Sequence, residues 1–194
     1  MLDAFTEKSS RQVEELIKTA EALIRGKGVP SSLNDLFSRL RLRMTKAGSH
    51  IRNLEDVESA LEECKKELVN FGSGFPELSG IGELPDAFRA RDMIITEFVY
   101  LSAIREYILK GGKSRGSYLI RDDTGKLPVP GLPEEFRYSL DNGELMKQVC
   151  EICLKKEDGA YSCQTEWKRV RPVPGEDNWF ENVWNEYMKG EIVR

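Results

Sequence analysis

Apolar residues recur at three- and four-residue spacing along much of this chain, the period of an amphipathic helix. The first such stretch predicts a helix over about 7–25, with Val13, Leu16, Ile17, Ala20, Leu23 and Ile24 on one stripe. Thr6 is its expected N-cap, and Gly26, Gly28 and Pro30 end it. A second stripe of Leu33, Leu36, Phe37, Leu40, Met44, Ala47 and Ile51 predicts a helix after Pro30, with Ser32 and Asp35 spaced as a capping box. Gly48 weakens its last turn. A third follows Asn53, where Leu54, Val57, Leu61, Cys64, Leu68 and Phe71 step by three and four. This places Cys64 on a buried stripe, as a core thiol. Residues 71–85 carry four glycines and two prolines and read as a loop. The fourth helix, about 86–110, is the longest and most apolar and should be central; Gly111 and Gly112 stop it.

Beyond Gly112 the pattern changes. Residues 113–145 are rich in Gly, Pro and charge and read as ordered loop. Residues 148–155 and 161–171 then alternate as two strands of a hairpin, with Asp158-Gly159 at the turn. Trp179, Phe180, Val183, Trp184 and Tyr187 predict a short aromatic helix at the C-terminal end. The expected architecture is mainly α. It is an antiparallel helical bundle, a spectrin-repeat-like three-helix core plus an N-terminal helix, over 1–124. A small α+β extension containing the hairpin follows over 125–194.

Composition narrows the function classes. The chain has 194 residues, 40% hydrophobic and 32% charged, with a net charge of −4. No run approaches the roughly 18 apolar residues of a spanning helix. The first ten residues lack the apolar core of a secretory signal, so a cytoplasmic protein is expected. Acidic and basic residues are interspersed. Arg39, Arg41, Arg43 and Lys46 are spread over more than one helix face, so no nucleic-acid footprint is expected. Four cysteines without a sign of secretion are expected to be reduced thiols.

Candidate chemistry is sparse. Cys150 and Cys153 form a C-x-x-C which, with Cys163, could make a small zinc-binding module. Against this, odd spacing on a strand puts the two side chains on opposite faces. The single histidine, His50, is expected near the end of the second helix, close to free carbonyls, and the sequence names no nucleophile or acid partner for it. Trp167, Trp179 and Trp184 read as core of the extension. There is no phosphate loop and no G-x-G-x-x-G after a strand, so no catalytic or cofactor-binding residue is assigned.

One segment points further. Lys113-Ser114-Arg115-Gly116-Ser117-Tyr118, placed just after a long apolar helix, is similar to the Glu-Ser-Arg-Gly-Ala-His segment of the C-terminal helical domain of succinate dehydrogenase and fumarate reductase flavoproteins, which L-aspartate oxidase shares. In that family the segment follows the third helix of a three-helix bundle, the order predicted here. Met44-Thr45-Lys46-Ala47-Gly48 resembles the family's first helix and turn. Ser114, Arg115 and Gly116 match, and Asp122 falls where the family has an acidic residue. Lys113 replaces Glu, Tyr118 replaces His, Ile120 stands where a basic residue is usual, and Asp123-Thr124 replaces an aromatic-Pro pair. The resemblance covers roughly residues 33–122. It implies a domain that braces a flavin-binding domain or subunit, and lies near an iron–sulfur subunit in complexes. FAD is held by the parent enzyme and not by this chain, which alone should be inactive. The alternative is a stand-alone helical protein-interaction module.

Overall fold

A computed structural model describes residues 2–25, 33–71, 73, 75–157, 160–170 and 179–190. The chain is mainly helical. Helix α1, Leu2–Arg25, starts before Thr6, so Thr6 lies inside the helix instead of capping it. The side chains of residues 2–8 and Arg25 are outside the description, as are residues 26–32 with the expected Ser32 cap. Leu23 at the C-terminal end of α1 is buried in the core, whereas Val13, Leu16 and Ile17 are exposed.

Helix α2, Leu33–Ala47, is shorter than its apolar stripe predicts. It stops at Gly48, whose amide donates to the Met44 carbonyl at 2.9 Å. Ile51, expected as the last apolar position of this helix, instead belongs to strand β1, Ile51–Arg52. The reason is a competing backbone partner. β1 pairs in parallel with β2, Leu119–Lys126, in the register Ile51↔Leu119 and Arg52↔Ile120. A two-residue pairing leaves no periodic trace, so both strands are missed by pattern reading.

Helix α3, Leu54–Asn70, begins where Asn53 caps it: Oδ1 of Asn53 accepts the Asp56 amide at 2.8 Å. Val57, Ala60, Leu61, Cys64 and Leu68 are buried along its predicted stripe. A 3₁₀ turn at Ile81–Glu83 leads into α4, Leu84–Leu109, with Pro85 in the first turn. Ala87, Ala90, Ile94, Phe98, Leu101 and Ile104 make α4 the most buried helix. α2, α3 and α4 pack against one another around Leu36, Leu40, Val57, Cys64, Ile94 and Leu101. Each large apolar side chain buried there contributes about 1.5–3 kcal/mol relative to exposure. Among the described residues no helix is long and apolar enough to cross a membrane.

The hairpin is present. β3, Gln148–Glu157, pairs antiparallel with β4, Ala160–Arg169, from Gln148↔Arg169 to Glu157↔Ala160. Asp158-Gly159, the expected turn, lies outside the described residues. One face of the hairpin rests on the helices: Tyr161 and Cys163 pack against the core, and Trp167 Nε1 donates to Glu106 Oε1 of α4 at 3.1 Å. Lys110 Nζ sits 4.7 Å from the Trp167 ring centroid. Helix α5, Trp179–Met188, forms as expected. However, Trp184 is exposed and stacks on Tyr187 at 5.8 Å, so it is not core, and the Trp179 side chain lies outside the description. β2 runs across residue 124, the boundary expected between the helical bundle and the extension.

Candidate functional site

Two constellations stand out, one inside the helices and one at the end of α4. The first lies between α2, α3 and α4. Arg43 is on the buried stripe of α2, at i+3 from Leu40, and is 7% exposed; Glu97, on α4, is 5% exposed. Arg43 Nε donates to Glu97 Oε2 at 2.9 Å, and Nη2 donates to Glu67 Oε2 at 2.7 Å. Glu63 reaches Nη1 at 3.4 Å, and Cys64 Sγ lies 3.8 Å from Glu97 Oε2. Burial opposes the Arg43 charge, but the hydrogen bond to Glu67 and the surrounding negative charges hold its pKa above the ordinary value. Burial raises the Glu97 carboxyl against the pull of Arg43, because one guanidinium serves several carboxylates. Burial pushes the Cys64 thiol up to about 12. A neutral thiol and a fully engaged Arg make this a registry lock between three helices. Pattern reading of apolar stripes skips both charged members, although each sits at a core-facing spacing.

The second constellation is the Ser114–Arg115–Gly116 turn. Gly111, at φ 87°, ends α4 in the left-handed region that glycine adopts without strain. Ser114 is buried. Its Oγ accepts the Ile120 amide at 2.8 Å and donates to the Ile120 carbonyl at 3.2 Å. Arg115 and Tyr118 exchange backbone hydrogen bonds at 3.1 and 3.2 Å, closing a tight turn over Gly116 and Ser117. The Ser114 amide donates to Ser139, and Asp141 donates back to the Ser114 carbonyl, which brings residues 139–141 alongside.

Asp141 is the residue that sequence reading misses. Its carboxylate accepts from the Tyr107 hydroxyl and from the Gly143 amide, and lies 3.5 Å from Arg115 Nε. The Tyr107 hydrogen bond holds the Asp141 carboxyl below the usual carboxylate range, while burial raises the Tyr107 hydroxyl. The Arg115 guanidinium lies 5.2 Å from the Tyr107 ring centroid, and its Nε and Nη2 have no hydrogen-bond partner among the described residues. Nothing in the spacing between residues 115 and 141 advertises this meeting.

The departures from the family segment all have local partners. Lys113 Nζ donates to Asp122 at 2.7 Å, and this hydrogen bond lowers the Asp122 carboxyl. The Tyr118 ring lies 4.4 Å beneath Arg52 and meets Tyr107 edge-on at 6.0 Å. Ile120 is buried. His50 is not at the free carbonyls of α2: its Nδ1 lies 3.3 Å from the Ser117 carbonyl, and its own carbonyl accepts the Leu119 amide at 2.6 Å. The turn is thereby clamped to the α2–α3 junction.

The cysteines do not converge. Cys150 pairs across the hairpin with Trp167, Cys153 with Gln164, and Leu154 with Cys163. Cys150 and Cys163 therefore share the face toward the helices, two rows apart, or roughly 14 Å at about 3.4 Å per residue. Cys153 points to the opposite face and is exposed. A zinc site through Cys150, Cys153 and Cys163 would need this alternation broken. Among the described residues no group of three metal-ligating side chains assembles.

No family model, curated protein or solved structure matches this chain.

Proposed function

We propose that this chain is the helical domain of an FAD-dependent oxidoreductase of the succinate dehydrogenase/fumarate reductase flavoprotein type. Its role is to brace a flavin-bearing domain or subunit, and it carries no catalysis of its own. One observation carries this reading. The Ser114–Arg115–Gly116 turn follows directly on α4, the last of three mutually packed helices, and is clamped back onto the junction of the first two through His50 and the β1–β2 pair. That is the order in which the resembled domain places its three-helix, spectrin-repeat-like core and its Ser-Arg-Gly segment. The turn spends its Ser114 hydroxyl and its backbone groups on its own fold, which suits a bracing element.

The flavin belongs elsewhere in this reading. A dinucleotide needs a glycine-rich turn between a strand and a helix of a parallel sheet. The parallel strand pairing among the described residues is the two-residue match of β1 with β2, and β1 passes into α3 through Asn53 alone, with no glycine-rich turn between them. An iron–sulfur subunit fits as a second neighbour in the assembled enzyme.

The test is a visible spectrum of the purified chain after incubation with excess FAD and desalting, followed by recovery of the tagged chain from its source cells. The expected result is no flavin band on the chain alone, and a stoichiometric flavin band in the recovered assembly. Flavin retained by the chain alone, or an assembly without flavin, refutes the proposal. A second reading, a stand-alone interaction module, is favoured by the local partners found for Lys113 and Tyr118. The same recovery experiment decides it, since such a module would bring down a partner free of flavin.

A further inference from the structure

Helix α1 carries an apolar stripe that the described residues leave largely uncovered. Leu23, near its C-terminal end, is buried in the core. Before it, Val13, Leu16 and Ile17 are 54%, 44% and 53% exposed, and Ile24 is 47% exposed. Val13, Ile17, Ala20 and Ile24 step by four, three and four, the spacing of a seam between two helices, with Leu16 beside it. The stripe also has a wall. Val13, Leu16, Ile17 and Ala20 form one side of a groove of about 420 Å³, and Phe88 and Arg91 of α4 form the other. Arg91 adds no spare charge there: its Nη2 donates to Asp92 Oδ1 at 3.1 Å, and its guanidinium lies 5.1 Å from the Phe88 ring centroid. An apolar groove between two helices suits the apolar face of a third.

The charges beside the stripe select which helix that is. Glu14 and Lys18, four residues apart, lie on one flank of it and are exposed. Among the described residues neither has an ion-pair partner, not even the other. Glu15, the next acid, reaches Lys156 at 3.9 Å instead. In an antiparallel pair related by a two-fold axis, whatever residue i meets on the second helix is met there by i in return, and the same flank of each helix faces the other. Setting Glu14 opposite Lys18 puts the axis at Leu16, so that Leu16 meets Leu16 of the second copy. Val13 of each copy then falls between Ile17 and Ala20 of the other, and Ile17 between Val13 and Leu16, so the stripes interdigitate. The same alignment sets Arg11 opposite Glu21, and acid faces base along the flank. Sliding one helix by four residues either way sets Glu14 against Glu14 or Lys18 against Lys18.

We propose that α1 is a self-association helix. Two copies of the chain pair antiparallel through the stripe of Val13, Leu16, Ile17 and Ala20, each α1 lying in the groove that the other forms with its α4, and Glu14 of each copy pairs with Lys18 of the other across the two-fold axis. The occupant is a second copy of this chain, so the proposal goes beyond the bracing role and does not depend on it.

The experiment is light scattering after size exclusion on the full chain over a concentration series, with circular dichroism of each variant. Wild type should approach twice the mass of one chain at the upper concentrations. Ile17→Lys, at an exposed position, should leave a folded monomer. Glu14→Lys and Lys18→Glu should each weaken the dimer about tenfold, because both facing pairs become like-charged. An equimolar mixture of these two variants should restore it, because every Lys of one chain then faces a Glu of the other. Charge effects within a single helix cannot produce that restoration, since each variant carries them unchanged into the mixture. A wild-type chain that stays monomeric across the series overturns the proposal. So does a dimer that Ile17→Lys leaves intact, a dimer indifferent to the single charge reversals, or a mixture no tighter than its components.

Discussion

Replacing Arg43 with Met tests the lock between the helices most directly. Met fills much of the volume and keeps the apolar stem, so the perturbation is mainly the loss of charge. Glu97 then stays buried with its guanidinium partner gone, and Glu67 loses its 2.7 Å contact. Breaking a buried ion pair from one side costs about 3–5 kcal/mol. Typical domains have roughly 5–15 kcal/mol in total, so the variant should remain folded but marginal. Urea unfolding followed by circular dichroism measures this. The pH dependence supplies a second signature. The folded-state pKa of Glu97 is already raised by burial, and loss of Arg43 raises it further. A raised carboxyl contributes stability that is present below its unfolded value of about 4.3 and lost as pH rises through the folded value. The slope in that window is about −1.4 kcal/mol per pH unit. Arg43→Met should therefore be least impaired in mild acid and worsen toward neutral pH. The double variant Arg43→Met/Glu97→Leu removes both buried charges, while Glu67, nearer the surface, can turn to water. It should be more stable than Arg43→Met alone. A single variant within about 1 kcal/mol of wild type, or a double variant as unstable as the sum of the singles, would refute the lock.

Three further outcomes are expected. Thiol labelling of the native chain should modify exposed Cys153 first, while Cys64, buried and with a thiol pushed up to about 12, reacts only as the chain unfolds; equal rates would contradict this. Asp122 is lowered by its hydrogen bonds to Lys113 and Thr124, so its stabilisation is present above the ordinary Asp value of about 3.9 and lost as pH falls below it. Exchange of the Thr124 amide, which donates to Asp122 Oδ1 at 3.1 Å, should accelerate in acid, and Asp122→Asn should flatten that dependence. Gly125→Ala places a methyl group against the Tyr138 carbonyl, where β2 meets Tyr138, and should cost about 1–3 kcal/mol in urea unfolding; a neutral effect would show that the two segments can part freely.

How far the sequence could be read depended on whether a feature repeats. The stripes of α3 and α4 and the alternation of β3 and β4 repeat over many residues, and these elements appear where the pattern puts them. The helix ends were less legible, because a backbone partner decides them. Thr6 has cap chemistry but sits within a longer apolar period, so the helix runs through it. Ile51 continues the stripe of α2, yet its backbone pairs with Leu119. Arg43 and Glu97 were half legible: a charge at a core-facing spacing is the signal of a buried pair, but which carboxylate it meets is set by how the helices pack. Asp141 left no signal, since its approach to Arg115 depends on a loop path that no local preference encodes.

The same logic explains how the turn tolerates its departures from the segment it resembles. Lys113 faces Asp122, so a Glu there would set two carboxylates together in place of an ion pair. A basic residue at 120 would bring charge into the closed space beneath Ser114 that Ile120 fills. Tyr118 offers Arg52 an aromatic face and Tyr107 an edge. Each exchange keeps the turn closed by contacts within the chain. A turn closed from inside keeps its outer surface available, and that surface is where Ile51, Gly116 and Leu140 are exposed. Ser114 links the two sides: its hydroxyl holds Ile120 inward, and its backbone holds residues 139–141 so that Leu140 stands exposed. The contact that ties the end of α4 to the α2–α3 junction is thus also the one that shapes this outer surface.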